Sequence, residues 1–132
     1  MILSILVLLF TIVGPVVKVD MDLDGSKDEI FVDVRPVMVV SLGDVERERL
    51  YDVDVLVKVE GKIQRAGTVR NTMKIHFFRQ WVLATADGRV TKRGVIFETS
   101  HRMGMRYWVL LMQPSLTIVE VPAELLVFTV PL

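Results

Sequence analysis

Val53, Val55, Val57 and Val59 fall at every second position of one run, with Asp52, Asp54, Leu56, Lys58 and Glu60 between and around them. The same period recurs where Val19, Met21 and Leu23 alternate with Asp20, Asp22 and Asp24, and where Ile30, Val32 and Val34 alternate with Phe31, Asp33 and Arg35. A helix would scatter such side chains around its axis, whereas an extended chain places alternate residues on one face. The pattern therefore predicts half-buried strands. Asp87-Gly88, between WVLATA and RVTKRGVIF, predicts a hairpin with a type I′ turn, because that turn needs positive φ at both central residues. Gly61-Lys62 and Met103-Gly104 read as further turns, and Pro36, Pro114, Pro122 and Pro131 punctuate the runs. Only GDVERERL, Gly43 to Leu50, reads as a helical turn. Roughly eight to ten strands separated by turns point to an all-β fold, an antiparallel β-sandwich of jelly-roll or immunoglobulin-like type.

With 132 residues there is material for one hydrophobic core and not two, so residues 18–132 are expected to form a single β-sandwich domain. Residues 1–17, MILSILVLLFTIVGPVV, stand apart because they carry no charged side chain. As a helix, residues 2–17 would span about 24 Å at ~1.5 Å per residue, short of a hydrocarbon layer of ~30 Å. The stretch reads as a signal peptide or short anchor, as a buried strand, or as a packed core helix. The acids that follow it, Asp20, Asp22, Asp24 and Asp28, favour the non-cytoplasmic side if it is an anchor. The strand reading instead makes Ile2 to Val13 a segment that a sheet edge recruits.

Formal net charge is zero but unevenly placed. Residues 1–57 hold five Lys/Arg against eleven Asp/Glu, a net of −6, and residues 58–106 hold eleven against three, a net of +8. Residues 107–132 add only Glu120 and Glu124. Such a division fits halves that face each other within a fold or between copies, and argues against broad attraction to nucleic acid. The absence of cysteine excludes disulfides, thiolate metal sites and thiol nucleophiles.

The stretch DMDLDGSKDEI, residues 20–30, is the one candidate for ion chemistry. Calcium takes six to eight oxygens from carboxylates and carbonyls on a tightly bent backbone. Asp20, Asp22, Asp24 and Gly25 fit positions 1, 3, 5 and 6 of a calcium loop, with the Ser26 carbonyl at 7 and the Asp28 carboxylate at 9. An EF-hand also needs a bidentate glutamate at position 12, where this chain has Phe31, and flanking helices that the pattern lacks. The order DxDxDGxxDEIxV resembles the calcium loop of FG-GAP repeats in integrin-like β-propellers, which joins two antiparallel strands. That resemblance, over about thirteen residues, implies Asp20, Asp22, Asp24 and Asp28 as side-chain ligands and Ser26 as a backbone ligand. The alternative is a plain hairpin with aspartates on its exposed face. The two differ in geometry, since a liganding loop must break the strand at Asp20.

Other constellations are weaker. KIHFFRQW, residues 74–81, sets Lys74, His76 and Arg79 among aromatic rings, as single-strand binders do, yet regular alternation sends Ile75, Phe77 and Arg79 to one face and one phenylalanine into the core. His76 and His101 are the only histidines, and neither has metal-ligand spacing or a serine nucleophile in context. Tyr107 and Trp108 point to opposite faces of a strand, so one of them fills the core. The sequence thus leads us to expect a non-enzymatic structural or binding module, membrane-associated or secreted through residues 1–17, with calcium as its one cofactor. A protein partner or self-association is expected in place of nucleic acid. The rival expectation is a self-assembling filament or capsid subunit that uses its N-terminal strand, and a nucleic-acid-binding β protein ranks third.

Overall fold

The structure is a computed structural model and describes the backbone of residues 16–42 and 46–132, with side chains for residues 16–37 and 50–132. The expectations for residues 1–15 and for Gly43 to Val45 lie outside the described residues. Among the described residues nine strands follow in order: β1 (Val17–Val19), β2 (Asp28–Leu42), β3 (Glu46–Val59), β4 (Lys62–Thr72), β5 (Lys74–Ala84), β6 (Val90–His101), β7 (Gly104–Leu111), β8 (Thr117–Val121) and β9 (Val130–Pro131). A short 3₁₀ helix, η1 (Ala123–Phe128), precedes β9. Strands β1-β2-β3-β4 make one sheet and β8-β7-β6-β5-β9 the other, and every pairing is antiparallel. The sandwich expected from the alternation is present. Its strand order refines it, because each sheet is built from consecutive strands, whereas an immunoglobulin domain shares its strands between sheets.

The valines that set the period lie in the core. Val53, Val55 and Val57 of β3 pack with Ile30 and Val32 of β2, Val69 of β4, and Phe77, Val95, Phe97 and Leu110 of the opposite sheet. Burial of these apolar faces at ~25 cal/mol per Å² is the main source of stability. Gly67 marks a close approach of the sheets, since a Cβ there would meet Ile118 Cγ1 at 2.6 Å. Among the described residues the chain passes between sheets at one corner, Thr72 to Lys74. There the Thr72 hydroxyl, fully buried, directs its hydrogen between the carbonyls of Lys74 and Ser100, 2.9 Å from each. The Met73 amide donates to Ser100 O at 2.7 Å.

Four local expectations need correction. Glu46 to Leu50 is strand and not helical turn, because pairing with β2 from Leu42↔Glu46 to Met38↔Leu50 outweighs the weak helical preference of a short polar run. The β3–β4 turn is centred on Glu60 and Gly61 (φ 51° and 79°), one residue earlier than expected, and it is this turn that has the type I′ signature. At Asp87-Gly88 the hairpin forms, but only Gly88 has positive φ (86°). Asp87 accepts hydrogen bonds from the Thr85 hydroxyl and the Arg89 amide, and Gly88 N–H donates to Thr85 O at 2.9 Å, which builds a longer loop. In β5 the register shifts between Phe77 and Arg79. Ile75 and Phe77 face the core, but the extra residue sends Arg79 to the outer face with His76 and Phe78, which stack at 5.7 Å.

The C-terminal stretch lies against the outer face of the β5–β8 sheet. Arg79 anchors it, with Nε donating to Thr129 Oγ1 (2.5 Å) and Nη2 to Thr129 O (2.6 Å). Beneath η1 lies an apolar cavity of about 310 Å³ bounded by Trp81, Ile96, Val109, Leu111 and Leu126.

Candidate metal centre

β1 ends at Val19, so the strand breaks at Asp20 and residues 20–27 form the connection to β2. The two apolar residues that continue the period diverge. Met21 is buried in the core, and Leu23 takes positive φ (61°), followed by Gly25 at 92°. That bent path turns the aspartates inward onto the loop's own amides. Asp20 accepts from the amides of Asp24 (Oδ1, 3.1 Å) and Gly25 (Oδ2, 2.9 Å). Asp28, the first residue of β2, is 3% exposed and accepts from the Met21 amide through Oδ2 at 3.1 Å.

Three of the four expected carboxylate ligands converge. Asp20, Asp22 and Asp28 each place a carboxylate oxygen within 4.8 Å of the other two. Asp24 lies beside this group and not in it: its Oδ1 accepts from the Ser26 amide (2.9 Å) and the Ser26 hydroxyl (2.8 Å), so these two residues close a small turn on the exposed side. The electrostatics follow that division. Burial pushes the Asp22 carboxyl up to about 6, aided by its hydrogen bond with Asp24 and by the Asp28 charge. The amide of Ser26, then its hydroxyl, hold Asp24 below the usual carboxylate range. Among the described residues no ion pair reaches Asp20, Asp22 or Asp28. The nearest cation in the hydrogen-bond pattern is Arg93 of β6, whose Nη1 donates to the Asp20 carbonyl at 3.2 Å and not to a carboxylate. The Arg93 Nε is buried without a hydrogen-bond partner. Nothing in the sequence places Arg93, seventy-three residues away, against this loop.

Two further polar centres exist, and neither was legible in the spacing. Asp54 of β3, 6% exposed, receives Arg35 Nη1 at 2.5 Å and Nη2 at 3.2 Å, and the Thr68 hydroxyl at 2.6 Å. Burial pushes its carboxyl up, but the Thr68 and Arg35 hydrogen bonds, with the charges of Arg35 and Arg65, outweigh this and leave it below the usual range. On the other sheet, Trp108 Nε1 donates to Thr99 Oγ1 (2.9 Å), so the Thr99 hydrogen goes to His101 Nε2 (2.6 Å), and His101 Nδ1 donates to Asn71 O (3.1 Å). This chain of donors fixes the neutral imidazole as its Nδ1–H tautomer. Burial, ahead of repulsion from Arg106, lowers the His101 pKa. Thr99 is fully buried, so its hydroxyl is a core fixture between strands and not a presented nucleophile. Trp108 stacks on Phe97 at 6.2 Å, so it is the aromatic of the Tyr107-Trp108 pair that packs against the core.

No family model, no curated protein and no solved structure matches this chain. Among the described residues, no helix is long and apolar enough to cross a membrane.

Proposed function

We propose that this chain is a non-enzymatic β-sandwich module, structural or binding in role, whose first inter-strand loop is cross-tied by a calcium ion on Asp20, Asp22 and Asp28. The observation that supports this is Asp28. A carboxylate 3% exposed, with one amide donor and two other carboxylates inside 4.8 Å, is short of positive charge. The donors are all hard oxygens, the set that calcium prefers over the softer transition metals. Carbonyls of the bent loop and water would complete six to eight ligands. Bound there, the ion joins the end of β1 to the start of β2 and stiffens the edge of the sheet. The non-enzymatic reading draws support from the histidines: His101 is engaged at both nitrogens, and His76 is exposed beside Glu98 at 3.4 Å.

Thermal melts in EDTA, calcium and magnesium test the proposal. Calcium at roughly 100 times its Kd is expected to stabilise the fold by about 2.7 kcal/mol, read as a rise in Tm, with magnesium doing much less because it demands tighter octahedral geometry. A melt that stays unchanged up to millimolar calcium sinks the assignment.

A further inference from the structure

The outer face of the β5–β8 sheet is apolar where a solvent face is ordinarily polar. Trp81 of β5, Ile96 of β6, Val109 and Leu111 of β7 and Val121 of β8 share it and form the floor of the cavity of about 310 Å³ beneath η1. The roof is equally apolar but stands off the floor. No residue of η1 is buried, and Phe128, which borders the cavity, is 72% exposed. The roof is nevertheless tied at both ends, by Val121 paired with Tyr107 before it and by Arg79 bonded to Thr129 after it. Interiors that close on themselves leave few voids larger than a water molecule, so this one is room kept for an occupant.

A positive charge stands beside it. Arg79 is half-buried, and its Nε and Nη2 are spent on the hydroxyl and carbonyl of Thr129, a cavity residue, both of them neutral acceptors. Among the described residues no ion pair reaches Arg79. Glu98, two residues beyond Ile96 on the same face, is turned to His76 at 3.4 Å. A guanidinium cannot shed its proton, so partial withdrawal from water leaves the charge seeking an anion.

We infer that the cavity binds a single-chain amphiphile with an anionic head, of the fatty-acid class, its hydrocarbon between η1 and the sheet and its carboxylate on Arg79 at the Thr129 end. Volume sets the chain length. A dry apolar cavity of about 150 Å³ takes one benzene, so this one holds roughly twice that, about twelve carbons in one chain and not a two-chain lipid. Polarity excludes a sugar or other ligand rich in hydroxyls. The polar groups at the border are the Trp81 indole and Thr129, whose hydroxyl already accepts from Arg79 and donates to Leu126 O. Arg79 Nη1, which makes no hydrogen bond among the described residues, is the donor left for the head. A partner's strand or helix would have to displace η1, whereas a bare chain passes beneath it.

Trp81 borders the cavity and Trp108 stacks on Phe97 in the core, so fluorescence distinguishes the two places. Laurate with a terminal bromine, a contact quencher, is titrated into the full chain below its micellar concentration, in competition with laurate, dodecanol and dodecylamine. The expected result is saturable one-to-one quenching that disappears in Trp81→Phe, with laurate competing about tenfold better than dodecanol and dodecylamine weaker still. Val109→Phe, which fills the floor, should weaken laurate by about tenfold or more with its melt showing an intact fold. Absence of saturable quenching, or equal quenching of Trp108 in Trp81→Phe, would overturn the site. Equal competition by the three head groups would overturn the role of Arg79, and undiminished binding to folded Val109→Phe would overturn the placement of the chain. Quenching by vesicles of brominated phosphatidylcholine without any by bromolaurate would also overturn the proposal, since it would make this face a bilayer contact. If Val109→Phe does not fold, the head-group series on the unaltered chain still decides.

Discussion

Asp54 and Asp28 are both aspartates on strands, both almost wholly buried, and they are compensated in opposite ways. Asp54 meets a forked guanidinium and a hydroxyl from the two adjacent strands, so its charge is answered by one of opposite sign and both its oxygens by donors. Asp28 meets one amide and two more acids. The first arrangement is complete within the chain, and its carboxyl is driven below the usual range. In the second, burial first, then the hydrogen bond with Asp24 and the Asp28 charge, pushes the neighbouring Asp22 up to about 6. A buried acid therefore indicates a ligand only when its surroundings fail to answer it.

The largest test of this contrast is the calcium increment itself. Asp28→Asn should abolish the gain of about 2.7 kcal/mol expected at 100 times Kd, whereas Asp54→Asn should retain it in full, as paired melts with and without calcium would show. Next in size is the intrinsic cost of each change in EDTA. Asp54→Asn is expected to destabilise by about 2 kcal/mol, a figure kept low because Arg35 is half exposed, and urea unfolding reads it. Asp28→Asn in EDTA should lose less than about 1 kcal/mol or gain stability, because it relieves repulsion. If the two variants fall equally, the contrast fails.

The pH dependence separates the same two centres by sign. Asp54 has a folded pKa below its unfolded value near 3.8, so the folded state binds fewer protons. Its contribution is full above 3.8 and is lost as pH falls through the lowered value. Asp22 is raised from 3.8 to about 6, so the folded state binds more protons over that interval. Its contribution is present below 3.8 and is lost as pH rises through about 6. Calcium-free protein should thus lose stability between about pH 4 and 6 in a manner that Asp22→Asn removes and that saturating calcium reverses. The smallest effect belongs to Asp24, whose carboxylate is spent on Ser26. Asp24→Ala should lower Tm by less than about 4 °C, as loss of an exposed local cap does, and weaken calcium by less than about tenfold by calorimetry. A loss as complete as that of Asp28→Asn would make Asp24 a ligand after all.

The strands and their inward faces were legible because period two is a one-dimensional signal: Ile30, Val32, Val53 and Val55 declare their face without reference to any other strand. The acidic stretch was legible as one of two candidates, a liganding loop or a hairpin with aspartates on its exposed face, since a glycine after three spaced aspartates is local chemistry. What escaped depended on long-range partners. Asp54 reads in the sequence like its neighbour Asp52, one more acid in an alternating run, and only the arrival of Arg35 and Thr68 from neighbouring strands sets it apart. Arg93 meets the loop across the sandwich, and Arg79 changes face because one bulged residue in β5 resets the period after Phe77. Each of these is a fact about register, and register is written in pairs of segments.

The crossing at Thr72 to Lys74 has a kinetic consequence. Within each sheet nearly all neighbours are adjacent in sequence, so β1 to β4 and β5 to β8 can each zip from their turns while closing only short loops. The costly closures are few: docking of the two halves about the corner, and the return of β9 to β5. An all-β chain of this kind should fold faster than one whose strands are shared between sheets, with the corner threonine ordering last as the halves close over it.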